Sequence, residues 1–202
     1  MTLSRLPMCA DQLNNLYENY SLLDIGCRTM ALKPFLKKCS EYYGTDIMPA
    51  EGVIACNLEE GLPDFVDNSY DVVVALDVLE HLEHCHLVLD EMIRVARKAV
   101  IVSLPNMYYI QFRMKYLRGD LSGKYNFPEK AILDRHRWVL SYNAAVRFID
   151  ANTKGLNVSH HKVMPTRGRT KLISEPIEKM LATYNPDLFA YGSMHVIRLD
   201  ET

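Results

Sequence analysis

Cysteine pairing is absent from this 202-residue chain: Cys9, Cys27, Cys39, Cys56 and Cys85 are odd in number, scattered and without a CxxC spacing. That excludes a disulfide framework and a thiolate zinc ribbon. The start of the chain lacks a basic stretch followed by an apolar one, so a reducing cytoplasm is the expected setting. No run approaches the roughly 18 apolar residues needed to span a bilayer, and no membrane partner is expected. Positive charge is missing from residues 41–93, which hold thirteen Asp and Glu and no Lys or Arg. The formal net charge of -2 hides this segregation, because residues 113–137 carry seven basic groups against three acids and residues 162–171 carry four more with none. A chain so balanced has no global pull towards nucleic acid.

What is present is an alternation of short apolar runs with amphipathic stretches, the pattern of βαβ units that build a parallel sheet covered by helices. Strands are expected at 21–25, 41–46, 70–76 and 99–104, with a shorter edge strand at 53–56. Helices are expected at 11–19, 31–39, 84–97 and 141–151, the last with Ser141 as its N-cap. A strand at 156–163 and a final one at 188–199 are expected to pair antiparallel at one edge. Residues 107–138 are aromatic and basic, without a clean period, and are expected to form an insertion capping the strand ends. At this length, one domain over 1–202 is expected.

Ligands of open α/β sheets sit outside the carboxyl ends of the strands, which makes the strand-to-loop junctions informative. Leu-Leu-Asp-Ile-Gly at 22–26 is an apolar strand ending in an acid and a glycine, and Asp46 closes the next strand. A glycine lets the backbone turn tightly beneath a ligand, and an acid at the second strand tip can accept two hydrogen bonds from a ribose diol. Where a second glycine is usual, two positions after Gly26, the chain has Arg28. A side chain there can crowd a cofactor or force the loop onto another path. Asn57 and Leu58 follow the edge strand, and Asp77-Val78-Leu79-Glu80-His81 follows the next long one.

Leu-Leu-Asp-Ile-Gly-Cys at 22–27, Tyr-Gly-Thr-Asp-Ile at 43–47, Asn-Leu-Glu-Glu-Gly-Leu-Pro at 57–63 and Tyr-Asp-Val-Val-Val-Ala-Leu-Asp-Val-Leu-Glu-His-Leu at 70–82 occur in register. With Val-Ser-Leu-Pro-Asn at 102–106 they resemble the class I S-adenosylmethionine-dependent methyltransferases, in the broad group that includes MetW-like proteins. The resemblance implies a doubly wound Rossmann-like sheet of order 3-2-1-4-5-7-6. It implies S-adenosylmethionine as cofactor and S-adenosylhomocysteine (SAH) as product. Cofactor roles fall on Asp24, Gly26 and Cys27, on Asp46 and Ile47, on Asn57 and Leu58, and on Asp77. Catalytic roles fall on Asp77 and on His136, whose segment resembles the His-containing stretch before the next helix in many such domains; His81 is another candidate base.

The implied reaction is an in-line displacement at a methyl group that is already a good electrophile, which leaves the protein to position the acceptor and supply a base. An oxygen or nitrogen of a small polar or acidic substrate is the expected acceptor. Two other readings stay open. One is a cofactor-binding regulatory protein that associates with a biosynthetic enzyme or as a homodimer, and the other is an RNA methyltransferase with the basic cap as its footprint. The absence of an Asn-Pro-Pro-Tyr type motif after the 70–76 strand weighs against the second. His81 and Cys85 have the i, i+4 spacing of a helical metal pair, but no carboxylate-backed convergent set accompanies them and no metal is expected. His160 and His161, neighbours on a strand, face opposite ways.

Overall fold

A computed structural model describes residues 5–48, 50–119, 130, 135–165 and 175–200. The apolar runs become β1 (Tyr20–Ile25), β2 (Cys39–Asp46), β3 (Val53–Ala55), β4 (Tyr70–Leu76), β5 (Ala96–Pro105), β6 (Asn157–Val163) and β7 (Gly192–Arg198). They form one sheet in the order β3-β2-β1-β4-β5-β7-β6, as the sequence resemblance implies. The first five strands are parallel, and β7 inserts between β5 and β6 antiparallel to both.

Period-two alternation sends the two sides of each central strand into two cores. Leu23, Ile25, Val73, Ala75, Val100 and Val102 pack with Val88, Leu89 and Met92 of α2 (Cys85–Val95) and Ala145 and Ile149 of α4 (Tyr142–Asn152). Leu22, Val72, Val74 and Ile101 pack on the other face with Cys9, Ala10 and Leu13 of α1 (Arg5–Leu16). Strands apolar on both sides are what a parallel sheet covered by helices requires. Helix α4 starts where expected: Ser141 Oγ accepts from Ala144 N at 3.1 Å, a cap typically worth about 1 kcal/mol.

Several local expectations are corrected. The helix expected at 31–39 is a single 3-10 turn, Lys33–Phe35, with Pro34 in its first turn. Proline opens a turn readily but removes a donor from a helix interior, and here β2 claims the chain from Cys39 onward. The strand expected at 188–199 begins only at Gly192, because Asn185 caps a short helix α6 (Pro186–Phe189) ahead of it. Inside the expected cap, α3 (Ile110–Leu117) forms without a buried residue, which is why its sequence shows no apolar period. The remainder of that insertion, 120–129 and 131–134, lies outside the described residues. A further helix, α5 (Glu175–Tyr184), had no counterpart in the sequence reading; Tyr109 donates to its Glu178 at 2.8 Å, both residues being buried. No described helix is long and apolar enough to cross a membrane.

At the β6 and β7 edge, His160 and His161 do part company. His160 meets His195 at 2.8 Å and Asp150 at 3.0 Å, while His161 contacts Ser159. Burial, then the neighbouring imidazoles, hold the fully buried His195 down to about 3, so it sits neutral in the sheet.

Candidate active site

The strand order reverses direction between β1 and β4, and that switch point is where an open α/β sheet leaves a crevice at its carboxyl edge. Two loops wall it, one after β1 and one after β4. They touch: a Cβ added to Gly26 would meet Val78 Cγ2 at 2.7 Å, and Gly26 has φ +67°. Only glycine satisfies both demands at that position.

The rest of the crevice backbone is strained in the same way. Arg28, Met30 and Asp77 have φ of 52°, 53° and 57°, in the left-handed region that side chains rarely adopt. Arg28 therefore keeps the conformation a glycine would take, and its exposed side chain is carried on a glycine-like turn. Residues held in such regions concentrate where surrounding contacts over-determine them, commonly at functional sites. Replacing Arg28 by asparagine, which tolerates this region, is expected to raise stability by up to about 1 kcal/mol. Valine there should lower it by at least as much. Thermal unfolding of the two variants checks the pair, and a reversed order would contradict the left-handed turn.

Asp46, at the tip of β2, is 7% exposed and ties the loop after β1 to the loop after β2: Oδ2 accepts from Arg28 N at 2.9 Å and Oδ1 from Met48 N at 3.0 Å. Beside it, Ile47 and Met48 are 58% and 60% exposed, an apolar surface that a flat ring would cover. Asp24 lies deeper, buried at the end of β1, where Tyr42 Oη–H donates to its carboxylate. Burial above all, and then the charge of Asp46, push Asp24 up to about 7 against the opposing Tyr42 bond. Tyr42, which also packs against the core cluster of β1, thus has a polar task. Cys27 is buried against β2, with its Sγ where a Cβ on Gly44 would lie only 2.6 Å away. Its thiol is pushed up to about 11, first by burial and then by Asp24, so it is no nucleophile.

On the β3 side, Asn57 caps the 3-10 turn Leu58–Glu60, accepting from Glu59 N at 3.3 Å and donating to Glu60 at 2.7 Å. Leu58 is buried in the same apolar cluster as Leu89 and Met92. Glu59 reaches across to accept from Glu83 N and His84 N at 3.0 and 3.1 Å, supplying a carboxylate to the start of α2. Asn106, at the β5 junction, donates to the carbonyls of Pro186, Asp187 and Ala190 and locks α6 to the sheet.

Across the crevice, Asp77 is held by three contacts. Its N–H donates to Ser103 O at 3.1 Å, Ser103 Oγ–H donates to its Oδ1 at 2.6 Å, and Arg5 Nη1 pairs with its Oδ2 at 2.8 Å. Arg5 comes from the first turn of α1, and its Nε is buried with no hydrogen-bond partner among the described residues. No sequence signal led to Arg5, because nothing around it in the chain marks it as facing the β4 loop.

Further along that loop, Glu80 and His81 end in a 3-10 turn, Leu79–His81, onto which residues 135–138 are stitched. Arg137 N and Trp138 N donate to Glu80 O at 2.9 and 3.3 Å, Arg137 Nε to His81 O at 3.0 Å, and Trp138 Nε1 to Leu82 O at 2.8 Å. His136 is thereby set against His81, with ring centroids 4.5 Å apart. Cys85 is not part of this group; as the first residue of α2 it is buried in the core.

The strand order β3-β2-β1-β4-β5-β7-β6 with β7 antiparallel, together with a glycine turn under the β1 and β4 crevice and an acid at the tip of β2, defines the class I methyltransferase fold. Solved structures agree. The chain superposes on an S-adenosylmethionine-dependent methyltransferase from Archaeoglobus fulgidus with a TM-score of 0.62 and 15% identity, over 97% of this chain and 92% of that one. It superposes on the magnesium protoporphyrin IX methyltransferase of Synechocystis PCC 6803, solved with bound SAH, with a TM-score of 0.58 and 16% identity, over 96% and 82%. At such identities the likeness is one of fold. Within that class the chain belongs to the MetW family, described as methionine biosynthesis protein MetW, which matches residues 13–153. A 72-residue stretch is 40% identical to the bifunctional methionine biosynthesis protein MetXA/MetW of Rhodopirellula baltica. That stretch is 36% of this chain and 11% of the relative, so the chain spans a small part of the protein it matches.

Proposed function

We propose that this chain, acting as a single domain in the cytoplasm, binds S-adenosylmethionine in the β1 and β4 crevice and transfers its methyl group to an oxygen or nitrogen of a small polar acceptor. The observation that carries the reading is the Asp77 and Arg5 pair beside the Gly26 turn. A carboxylate and a guanidinium 2.8 Å apart complement the ammonium and carboxylate of an amino acid. The methionine portion of the cofactor is such a zwitterion. The Gly26 loop, with Asp24 and Cys27 beneath it, would support that portion, Asp46 would hold the ribose hydroxyls, and Ile47 with the Asn57 and Leu58 loop would flank the adenine. The nucleophile's lone pair attacks the methyl carbon as the carbon–sulfur bond breaks, and SAH leaves with that electron pair. His136, at the acceptor end, is proposed to help remove the acceptor's proton, as the base itself or, under the arrangement argued below, as a ligand of an ion that makes the acceptor more acidic.

Titration calorimetry with S-adenosylmethionine and SAH tests the reading. The protein is expected to bind both, and Arg5→Ala to bind each about tenfold more weakly, the worth of one charge-assisted hydrogen bond. No heat with either ligand at millimolar concentration would end the proposal. A second reading rests on the relative in which MetXA and MetW are joined in one chain. It makes this protein a cofactor-binding partner of a separate biosynthetic enzyme, and binding without turnover across acceptor panels would favour it.

A further inference from the structure

We propose that Glu80, His81 and His136 form a divalent transition-metal site at the acceptor end of the crevice. One ligand atom from each lies within 4.8 Å of the other two, so all three can meet one ion at about 2.0–2.2 Å after shifts of under an ångström. The set contains the donors such ions prefer, two imidazoles and a carboxylate, and leaves coordination positions open.

The surroundings are those of a built site. His81 Nδ1 lies 2.9 Å from Arg135 O, which fixes the proton on Nδ1 and turns the Nε2 lone pair towards Glu80, 3.8 Å away. A metal-bound imidazole is commonly oriented by such a carbonyl behind its second nitrogen. Glu80 is 1% exposed, so an ion bound there would meet a carboxylate largely withdrawn from water. The imidazoles are only partly buried, so the open coordination positions have a path to solvent. Backbone bonds from Arg137 and Trp138 to Glu80 hold His136 at its post independently of any ligand.

The sequence leads to no expected metal, its one spacing of metal-pair type being His81 with Cys85, whereas the fold brings Glu80 and the distant His136 to His81. The site's existence is independent of the proposed methyl transfer, and only its use rests on that reading. An acceptor hydroxyl bound to the ion would lose its proton to solvent more readily, and the resulting oxygen would then form the bond to the methyl carbon as carbon and sulfur part.

The test uses the full chain, stripped with a chelator and titrated with cobalt(II). One equivalent should bind with a visible d–d absorption and be displaced by zinc(II). His136→Gln, which alters a partly exposed side chain, should weaken binding by more than the 10- to 100-fold typical of outer-shell changes, with unchanged thermal unfolding in chelator. Glu80→Gln should do the same, and because this buried variant can fail to fold, copper(II)-substituted wild type provides a second measurement. Pulsed electron paramagnetic resonance should count two coordinated imidazoles. Absence of stoichiometric cobalt, full affinity in His136→Gln, or fewer than two imidazoles would each overturn the site. None of these readouts involves S-adenosylmethionine, so the cofactor assignment stands or falls separately.

Discussion

Asp46→Ala is expected to weaken S-adenosylmethionine binding by about 100-fold or more. Two hydrogen bonds from ribose hydroxyls to a largely buried carboxylate are each worth about 1.5–3 kcal/mol, and losing about 3 kcal/mol corresponds to roughly two decades in Kd. Asp46 has the capacity for them. Each oxygen accepts one backbone N–H, from Arg28 or Met48, and each keeps a further lone pair. Those same bonds hold the loops after β1 and β2, so the variant loses preorganisation as well as contacts. Calorimetry with SAH separates the effects when paired with thermal unfolding: a lower unfolding temperature with unchanged affinity would remove Asp46 from the ribose site.

The second large effect concerns stability against pH. Asp24 moves from 3.8 in the free side chain to about 7 in the fold, principally through burial. Because the folded value is raised, the native state holds a proton that the unfolded chain has released across that interval. The associated stability is fully present below about 3.8 and is lost as pH rises through about 7. Its size is at most about 4 kcal/mol, from 1.36 kcal/mol per pKa unit. Asp24→Asn keeps an acceptor for Tyr42 but cannot ionise. At pH 5, about one unit above 3.8, it should therefore exceed the wild type in denaturant unfolding by less than about 2 kcal/mol, and at pH 8 by up to about 4 kcal/mol. Other titrating groups are common to both proteins, so a difference that does not change between those pH values would show that Asp24 ionises normally.

Much of this fold was legible because its signals are short. An apolar run of five to seven residues ending in glycine or an acid marks a strand and its junction, which is why β1, β2, β4 and the Ser141 cap fell close to their expected places. Asp46 was legible for the same reason, since an acid at a strand tip is a local feature. The 31–39 helix failed because its composition was helical while Pro34 and the early start of β2 left room for one turn. Helix α3 was missed because it buries no residue and so carries no apolar stripe.

By itself the sequence determined which strands exist, their parallel core and the acids and glycine at their ends, because backbone preference and side-chain alternation act over a few residues. Only the tertiary structure decided what those ends face. Arg5 reaches Asp77 from the opposite end of the chain's first hundred residues, and His81 meets the 135–138 segment across 54 residues of sequence. Such pairings depend on which strand is inserted beside which and on how loops from separate helices converge. The left-handed turn at Arg28 belongs with them: the residue type argues against that conformation, and the hydrogen bond from its N–H to Asp46, closed only when β1 and β2 pair, holds it there.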